Sequence, residues 1–260
     1  MVARMTRCDL APSSVVPAAD RELANFPPGG GRRRPMAEQL IRFEDADAYE
    51  RGMSPWSRLA GQTFLEWLAP PPGLRWLDVG CGTGAFTELI AEGCAPNEMQ
   101  GVDPSDAQLS VARLQLGASG AVFVHGDAMA LPFERQRFDA VVMALVIFFV
   151  PDPAKGVAEM VRVVRPGGLV AAYAWDLLNG GFPFDPIWEE TRAVGLTPLL
   201  PPSPCAGGLQ ALRDLWRAAG LQAVQTRQIE VERTFTTFEE YWATSTITGG
   251  VRPPLDAMTG

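Results

Sequence analysis

The sequence predicts an α/β protein with a doubly wound, mainly parallel sheet and helices on both of its faces. Short apolar runs without polar alternation recur along the chain, which is typical of strands buried on both faces of a parallel sheet. Amphipathic segments with helical spacing follow several of these runs, and glycine or proline ends them. With 260 residues, 47% of them hydrophobic and 20% charged, the chain can bury a sizeable core.

The first helix is predicted from Ser54, because a capping hydroxyl there precedes Pro55 and apolar residues then recur at helical spacing up to Trp67. Five apolar strands follow, and three helices lie between them. The predicted strands are residues 74–79, 100–103, 121–125, 138–150 and 169–175, and the predicted helices are centred on residues 86–93, 107–114 and 157–164.

The regular pattern stops after residue 175. Residues 177–208 are largely loop-like, and we expect them to form an insertion on the substrate side around a short helix beginning at Asp185. The predicted remainder is a helix at 210–219, a strand at 221–234 and a last helix that starts at a capping box of Thr237 and Glu240.

Residues 1–36 differ from the rest in charge and pattern. They carry six arginines against three acids, so this stretch has a charge of +3 while the remaining chain carries −11. Prolines and glycines interrupt it and no apolar period runs through it, so we predict a disordered basic tail before a domain of residues 37–260. Arg32, Arg33 and Arg34 could form a contact patch, but a solvated charge run is favoured. The acidic domain argues against a nucleic acid as the main partner.

Several function classes are excluded by what the sequence lacks. Four cysteines and one histidine, His125, show no metal-binding spacing, so no metal site is predicted. The longest uncharged apolar run, residues 140–150, is shorter than the roughly 20 residues that a membrane span needs. The N-terminus has no apolar stretch suited to a signal peptide. We therefore expect a cytoplasmic protein without a membrane span.

Three glycines, Gly80, Gly82 and Gly84, come directly after a predicted strand and open a helix. Glycines here let the backbone approach a ligand, and the helix N-terminus supplies free N–H donors. The run also satisfies the glycine pattern of NAD-binding proteins, and Asp103 stands where a ribose-binding acid is expected. The pattern alone predicts an adenosine-containing cofactor and leaves its identity open.

Four motifs in order and register extend this signal and resemble the class I S-adenosylmethionine-dependent methyltransferases. Within them, the chain is similar to the type 11 small-molecule group, which includes the ubiquinone/menaquinone C-methyltransferases. The motifs are residues 77–84 (LDVGCGTG), 102–105 (VDPS), 126–133 (GDAMALPF) and 162–168 (RVVRPGG). The resemblance is strong over residues 45–176 and implies a Rossmann-like methyltransferase sheet.

The resemblance also implies how the sheet should end. Sheets of this class finish with a seventh, antiparallel strand, yet no convincing strand follows Trp242. Either that strand is missing, or another segment or a partner chain, as in a homodimer, covers the edge, because an open edge is an aggregation hazard.

Roles at the cofactor follow from the same resemblance. It implies that the three glycines lie against the methionine part of S-adenosylmethionine, with Asp78 beneath them. It places Asp103 at the ribose hydroxyls, Pro104 and Ser105 beside the adenine, Asp127 at the adenine amine and Ala128 at a ring nitrogen. Carboxylates suit a diol and an amino group because they accept two hydrogen bonds.

Further residues are weaker candidates for the site. The segment that contains Tyr49 and Arg58 resembles the N-terminal helices that close over the cofactor in this group. In that resemblance Arg58 would pair with the methionyl carboxylate. The alternative is that Tyr49 packs in the core and Arg58 faces water. Ala144, where the apolar lip of residues 144–149 begins, is also expected at the cofactor.

Methyl transfer is an in-line displacement that mainly requires alignment, so no dedicated catalytic residue is obligatory. Tyr49, His125 and Asp176 are the candidates for a base, and His125 is more simply a packing residue. The apolar lip and the aromatic residues after 175 predict a small apolar or aromatic acceptor, methylated at oxygen or carbon. An NAD-dependent oxidoreductase and a catalytically idle homologue acting through a partner remain as alternatives.

Overall fold

The computed structural model describes the backbone of residues 2–9 and the chain from residue 51 to residue 247. The described strands are β1 (Val2–Asp9), β2 (Arg75–Val79), β3 (Glu98–Asp103), β4 (Val122–His125), β5 (Phe138–Ala144), β6 (Val164–Trp175) and β7 (Gln222–Glu230). The described α-helices are α1 (Ser54–Leu68), α2 (Ala85–Gly93), α3 (Asp106–Leu116), α4 (Pro153–Val163), α5 (Asp185–Ala193), α6 (Leu209–Ala218) and α7 (Phe238–Ser245).

These strands form one seven-stranded sheet in the order β4-β3-β2-β5-β6-β1-β7. Strands β2 to β6 are parallel, and β1 runs antiparallel to both of its neighbours. The predicted fold class, a doubly wound and mainly parallel α/β sheet of Rossmann-like methyltransferase type, is confirmed. Parallel strands need crossover connections, and helices supply most of them here.

Strand β1 corrects one expectation from the sequence and decides between two alternatives. It pairs with β6 from Ala3 opposite Trp175 to Asp9 opposite Leu169, and with β7 from Val2 opposite Glu230. A disordered tail is therefore wrong for residues 2–9, and another segment of the chain, from the N-terminal side, takes the position of the antiparallel strand. Local pattern analysis does not find this strand, because the strand forms by backbone pairing with two strands from distant parts of the chain. The other residues of the predicted tail lie outside the described ranges.

The apolar run at residues 138–150 is not one long strand. Strand β5 ends at Ala144, Leu145 takes a left-handed φ of +62°, and Ile147–Phe149 form a short 3-10 helix. Apolar character alone cannot show where a buried strand ends, because the following turn is buried as well. The early end matters because the turn forms one wall of the site described below.

The core lies between the sheet and its helices. Phe64 of α1 and Phe86 of α2 pack against Tyr173 of β6, with ring centroids 4.8 and 5.5 Å apart. Elsewhere on the same strand, Trp216 of α6 donates its indole N–H to the carbonyl of Val170 at 3.1 Å. Aromatic packing and a satisfied indole thus fix helices from both halves of the chain to β6.

Residues 177–208 contain α5 and a short 3-10 helix, Pro204–Gly207. Ser203 holds this segment to the turn after β5, since its backbone N–H donates to Phe148 O and its hydroxyl donates to Val150 O.

In the described part of the chain, none of the helices combines the length and the apolar character required to cross a membrane.

Candidate active site

The carboxyl ends of β2, β3, β4 and β5 surround a cavity of about 540 Å³. In the sheet, β2 lies between β3 and β5, and the cavity opens at this point of the strand order. Open α/β sheets bind ligands at such a point, because the connections leave the strands in opposite directions there. Of the residues predicted for the site, those that line this cavity are Gly80, Asp103, Pro104, Ser105, Asp127, Ala128 and Ala144.

The loop from β2 to α2 requires its glycines. Gly80, Gly82 and Gly84 have φ angles of +76°, +55° and +93°, a region that strains residues with a side chain. An added Cβ would also lie 2.5 Å from Val146 at Gly80 and 2.7 Å from Leu116 at Gly84. Gly80 lines the cavity, whereas the other two let the loop pack against α3.

Asp103 is held at the cavity by two backbone donors. Its Oδ2 accepts from Gly82 N at 2.9 Å and its Oδ1 from Ser105 N at 2.8 Å. The side chain is only 8% exposed, and this burial raises the pKa of the carboxyl while the two backbone hydrogen bonds oppose the rise. Each oxygen keeps a further lone pair, so the carboxylate can still accept from a diol in the cavity.

The turn after β4 brings the second acid to the same cavity. Asp127 is exposed, and its Oδ1 accepts from Met129 N at 2.7 Å. Ala128 and Met129 line the cavity beside it. His125, directly before this turn, is exposed and does not line the cavity. Its Nε2 lies 3.0 Å from Pro104 O, so the imidazole joins the ends of β3 and β4.

One wall of the cavity, formed by the end of β5 and the turn after it, is apolar. Leu145 is held in its left-handed conformation partly by its N–H, which donates to Tyr173 O at 2.8 Å. A non-glycine residue in this region stores strain, which is found most often at functional sites. The wall contains the predicted lip and extends beyond it, with Ala144, Leu145, Val146, Phe149, Val150 and Pro151.

Sequence reasoning missed other lining residues, among them Gln108, Met129 and Pro151. Gln108 is 5% exposed and lies in the first turn of α3, where its backbone N–H donates to the hydroxyl of the capping residue Ser105. A capping serine at the end of β3 already indicated that this turn faces the site. Met129 lies within the motif of residues 126–133 but was assigned no role there, and no signal marks the loop residue Pro151.

Asp78 lies in β2, just before the glycine loop, and is fully buried. Its Oδ2 accepts from the hydroxyl of Thr87 at 2.7 Å, and its Oδ1 has no hydrogen-bond partner among the described residues. Burial is the main reason that the pKa of Asp78 is raised to about 7. Asp78 does not line the cavity, so it can affect a bound ligand only through the glycine loop that follows it.

One predicted contact with the cofactor, Arg58, is not brought to the cavity. The guanidinium of Arg58 forms an ion pair with Glu88 and lies 3.9 Å from the carboxylate of Glu92, both on α2. It is absent from the described cavity lining. Tyr49 lies outside the described residues, so its role stays a prediction.

Asp176 follows β6 directly and is 3% exposed. Both of its carboxylate oxygens accept from Asn179 Nδ2, at 2.9 and 3.1 Å. The residue does not belong to the described lining of the cavity. The structure describes two of the candidate bases, His125 and Asp176. Neither lines the cavity, so neither is placed to accept a proton from a substrate bound there.

Comparison with known proteins agrees with this geometry. Residues 77–172 match the family described as "Methyltransferase domain". Demethylmenaquinone methyltransferase of Bacillus cytotoxicus is 42% identical over 103 residues, which are 38% of this chain and 44% of that protein. The protein of the same name from Staphylococcus aureus is 36% identical over 124 residues, 47% of this chain and 49% of the relative. The chain thus spans about half the length of the curated relatives it matches.

A solved structure supports the fold over a longer stretch. The S-adenosylmethionine-dependent methyltransferase of Aquifex aeolicus superposes with a TM-score of 0.53 at 17% identity, covering 69% of this chain and 89% of that one. At this identity the likeness concerns the fold alone. The domain match, the identity to the two relatives and the shared fold agree with the four motifs, and residues 77–172 of this chain carry a methyltransferase domain similar to the type 11 class I S-adenosylmethionine-dependent methyltransferases.

Proposed function

We propose that this protein transfers a methyl group from S-adenosylmethionine to a small, apolar or aromatic acceptor, at oxygen or carbon. The observation that carries the proposal is one cavity lined by both acidic and apolar residues. Gly80, Asp103 and Asp127 line it together with the apolar Val146 and Phe149. Demethylmenaquinone methyltransferases among the relatives support a quinone-like ring as the acceptor.

The residues present fit the cofactor. Gly80 lines the cavity with its backbone, and a Cβ there would collide with Val146, so glycine keeps the loop backbone accessible to the methionine part of the ligand. Asp103 keeps a lone pair on each oxygen for the ribose diol, and Asp127 with Ala128 would recognise the adenine. When bound, S-adenosylmethionine supplies a methyl group on a sulfonium, whose sulfur needs no proton in order to leave.

The protein's own contribution to the reaction is alignment and exclusion of water. The left-handed turn at Leu145 brings apolar residues into the lining of the same cavity as the two acids, so an acceptor ring would be stacked against Val146 and Phe149. His125 and Asp176 do not line the cavity, and their side chains already have partners, Pro104 O for His125 and Asn179 for Asp176. The proposed mechanism therefore uses positioning and requires an acceptor that is nucleophilic or readily ionised.

The two alternatives are separated from this proposal by what they would bind. An NAD-dependent oxidoreductase is not favoured, because the segment that carries the glycine loop matches a methyltransferase domain. An idle homologue would bind the adenosine cofactor yet transfer nothing.

The test is a methyl-transfer assay with the full chain and S-adenosylmethionine labelled in the methyl group. The acceptors are a demethylated naphthoquinol, a simple phenol, an acyl thioester and a primary amine, with products identified by mass spectrometry. We expect label in the quinol or phenol and none in the amine. Binding of S-adenosylhomocysteine and of NADH is measured by calorimetry on the same sample. Binding of S-adenosylhomocysteine without transfer to any acceptor would favour the idle homologue, and binding of NADH alone would overturn the proposal.

A further inference from the structure

The turn after β4, residues 126–129, lines the cavity and is attached to the fold at both of its ends. At its first end, Gly126 N donates to Asp103 O at 3.1 Å. Inside the turn, Met129 N donates to Asp127 Oδ1 at 2.7 Å and Ala130 N donates to Asp127 O at 3.0 Å. These inner bonds give the turn its shape, whereas its position over the cavity also depends on what holds the residues that follow.

Two side chains of α4 hold those residues. Arg162 donates from Nη1 to Phe133 O at 2.7 Å and from Nη2 to Leu131 O at 2.8 Å. Glu159 Oε2 accepts from Leu131 N at 2.8 Å. Residues 131–133 belong to no helix or strand, so side chains satisfy these three backbone groups in place of a regular pattern.

Glu159 and Arg162 also hold each other. Arg162 donates from Nε to Glu159 Oε1 and from Nη2 to Glu159 Oε2, both at 2.7 Å. This ion pair and the hydrogen bond from Leu131 N lower the pKa of Glu159, so the carboxylate stays charged. Two parallel bonds between a guanidinium and a carboxylate fix the orientation of both groups. The donors that face the loop are therefore held in place before any ligand binds.

Helix α4 is itself a fixed support. It begins at Pro153, two residues after Pro151 of the apolar wall, and its buried face carries Val157, Met160 and Val163. Neither Glu159 nor Arg162 lines the cavity, so the pair acts on a ligand only through the turn that it holds.

We infer that Glu159 and Arg162 are positioning residues that give the cavity its selectivity for adenine from outside its lining. The inference rests on the proposed use of S-adenosylmethionine, with Asp127 and Ala128 at the base. Hydrogen bonds weaken steeply when donor and acceptor lose their alignment, so a displaced turn would no longer distinguish one base from another. With the turn held, Asp127 accepts from the adenine amine and rejects a base with a carbonyl oxygen at that position.

Calorimetry on the full chain with two ligands tests the inference. S-adenosylhomocysteine and S-inosylhomocysteine share the ribose and the homocysteine, and in the second an oxygen replaces the amine of the base. Contacts at Asp103 and at the glycine loop are therefore common to both. For the wild type we expect a preference for adenine of about 10- to 100-fold, since one hydrogen bond to a carboxylate is lost with inosine.

Arg162→Met removes the donors and keeps the length of the side chain. The preference for adenine should shrink by about tenfold, because S-adenosylhomocysteine loses a contact that S-inosylhomocysteine never makes. Glu159→Gln keeps an acceptor for Leu131 N but loses the ion pair, and it should shrink the preference in the same direction. This milder variant also serves as the test if Arg162→Met does not fold, and melting temperatures establish which variants are folded.

Arg165→Met is the matched control. It lies three residues further along the chain and removes a guanidinium that pairs with Asp139 at the amino end of β5, away from the turn. We expect it to keep the preference of the wild type. An equal loss of affinity for both ligands in Arg162→Met and Glu159→Gln, with the preference unchanged, would overturn the inference.

A double-mutant cycle with Asp127→Asn tests whether the pair acts through the turn. Asp127→Asn should abolish the preference by itself, so adding Arg162→Met should then change the ratio of the two affinities by less than about twofold. If the two substitutions reduce the ratio independently, the inference is wrong. Wild-type binding of S-adenosylhomocysteine without any preference for adenine would overturn only this inference, whereas failure of both ligands to bind would also overturn the proposed function.

Discussion

At the scale of single residues, Asp103 links the glycine loop after β2 to the start of α3. One carboxylate oxygen accepts from the loop glycine Gly82 and the other from Ser105, the residue that caps α3. These bonds leave the carboxylate little freedom, and its remaining lone pairs are available at the cavity. A preorganised acceptor of this kind needs no reordering when a diol binds.

Replacing Asp103 by Asn should therefore weaken adenosine ligands strongly. The amide loses the charge that strengthens a hydrogen bond, so we expect affinity for S-adenosylhomocysteine to fall by about 10- to 100-fold in calorimetry. Asp106→Asn is the matched control, since this exposed acid lies only three residues away and outside the cavity lining. Equal affinity in the two variants would contradict a ribose contact at Asp103.

Asp78 should also affect stability in a way that depends on pH. Its pKa is about 7 in the folded protein, above the ordinary value of 3.8, so the folded state holds a proton that the unfolded state has lost between those values. Stability therefore falls as the pH rises through this window. Relative to wild type, the unfolding free energy of Asp78→Asn should rise by about 2 kcal/mol from pH 5 to pH 8.

Urea unfolding at both pH values measures that difference for Asp78→Asn. A fixed cost of burying the amide cancels, because only the change between the two pH values is compared. If the difference between variant and wild type is the same at pH 5 and pH 8, Asp78 does not hold a proton in the folded chain.

At the scale of elements, the loop from β2 to α2 is shaped by its neighbour α3 as much as by any ligand. Gly84 is the N-cap of α2 and has a φ of +93°. An added Cβ would approach Leu116 of α3 to 2.7 Å and Ala112 to 3.4 Å. The glycine thus permits both the turn and the close packing of the two elements.

Gly84→Ala should accordingly destabilise the fold by about 3 kcal/mol, from the left-handed backbone and the clash together. Gly93→Ala is the control in the same region. Gly93 ends α2 without a positive φ, and an added Cβ there meets no atom within 4 Å, so its effect should be close to zero. Thermal unfolding of both variants checks the contrast, and equal melting temperatures would show that the packing at Gly84 is loose.

At the scale of the whole molecule, the described sheet is completed by a strand from the opposite end of the sequence. β1 lies between β6 and β7 and is antiparallel to both, with Met5 opposite Tyr173 on one side and Arg227 on the other. Without it, β6 and β7 would each expose a row of unpaired backbone groups. The described sheet needs no partner chain at this position.

Met5→Pro tests that arrangement. Proline removes a backbone donor and fixes φ near −65°, which an inner strand tolerates poorly. We expect the melting temperature to fall by roughly 10 °C, which corresponds to about 3 kcal/mol for a domain of this size. Met5→Ala retains the N–H and should stay close to wild type. If the two variants melt together, β1 does not contribute to the stability of the sheet.

Much of this architecture follows from local patterns in the sequence. Continuous apolar runs predicted β2 to β6, because strands buried on both faces need no polar alternation. The glycine loop and the acids Asp103 and Asp127 were predicted from motifs at strand ends, and the described cavity gathers Gly80 with both acids. Strand ends in a parallel sheet share one edge, so residues distant in sequence meet there.

Other features could not be obtained in this way. Where the run at residues 138–150 turns, which residues besides the motifs line the cavity, and where Arg58 points all depend on neighbours from other elements. Arg58 could have faced the cavity, yet Glu88 of the adjacent helix forms an ion pair with it. Such choices arise from packing and pairing across the fold, which local periodicity does not contain.

The sequence by itself determined the fold class, the family of residues 77–172 and the chemistry expected at the strand ends, because these depend on local patterns and on motif order. Only the tertiary structure decided that β1 fills the antiparallel position and that Leu145 turns the chain into the cavity wall. It also revealed that Asp78 is buried with an oxygen that finds no partner in the described part of the chain. Burial, pairing and the loss of hydration arise only when distant segments meet, so the proton held at Asp78 is a property of the fold.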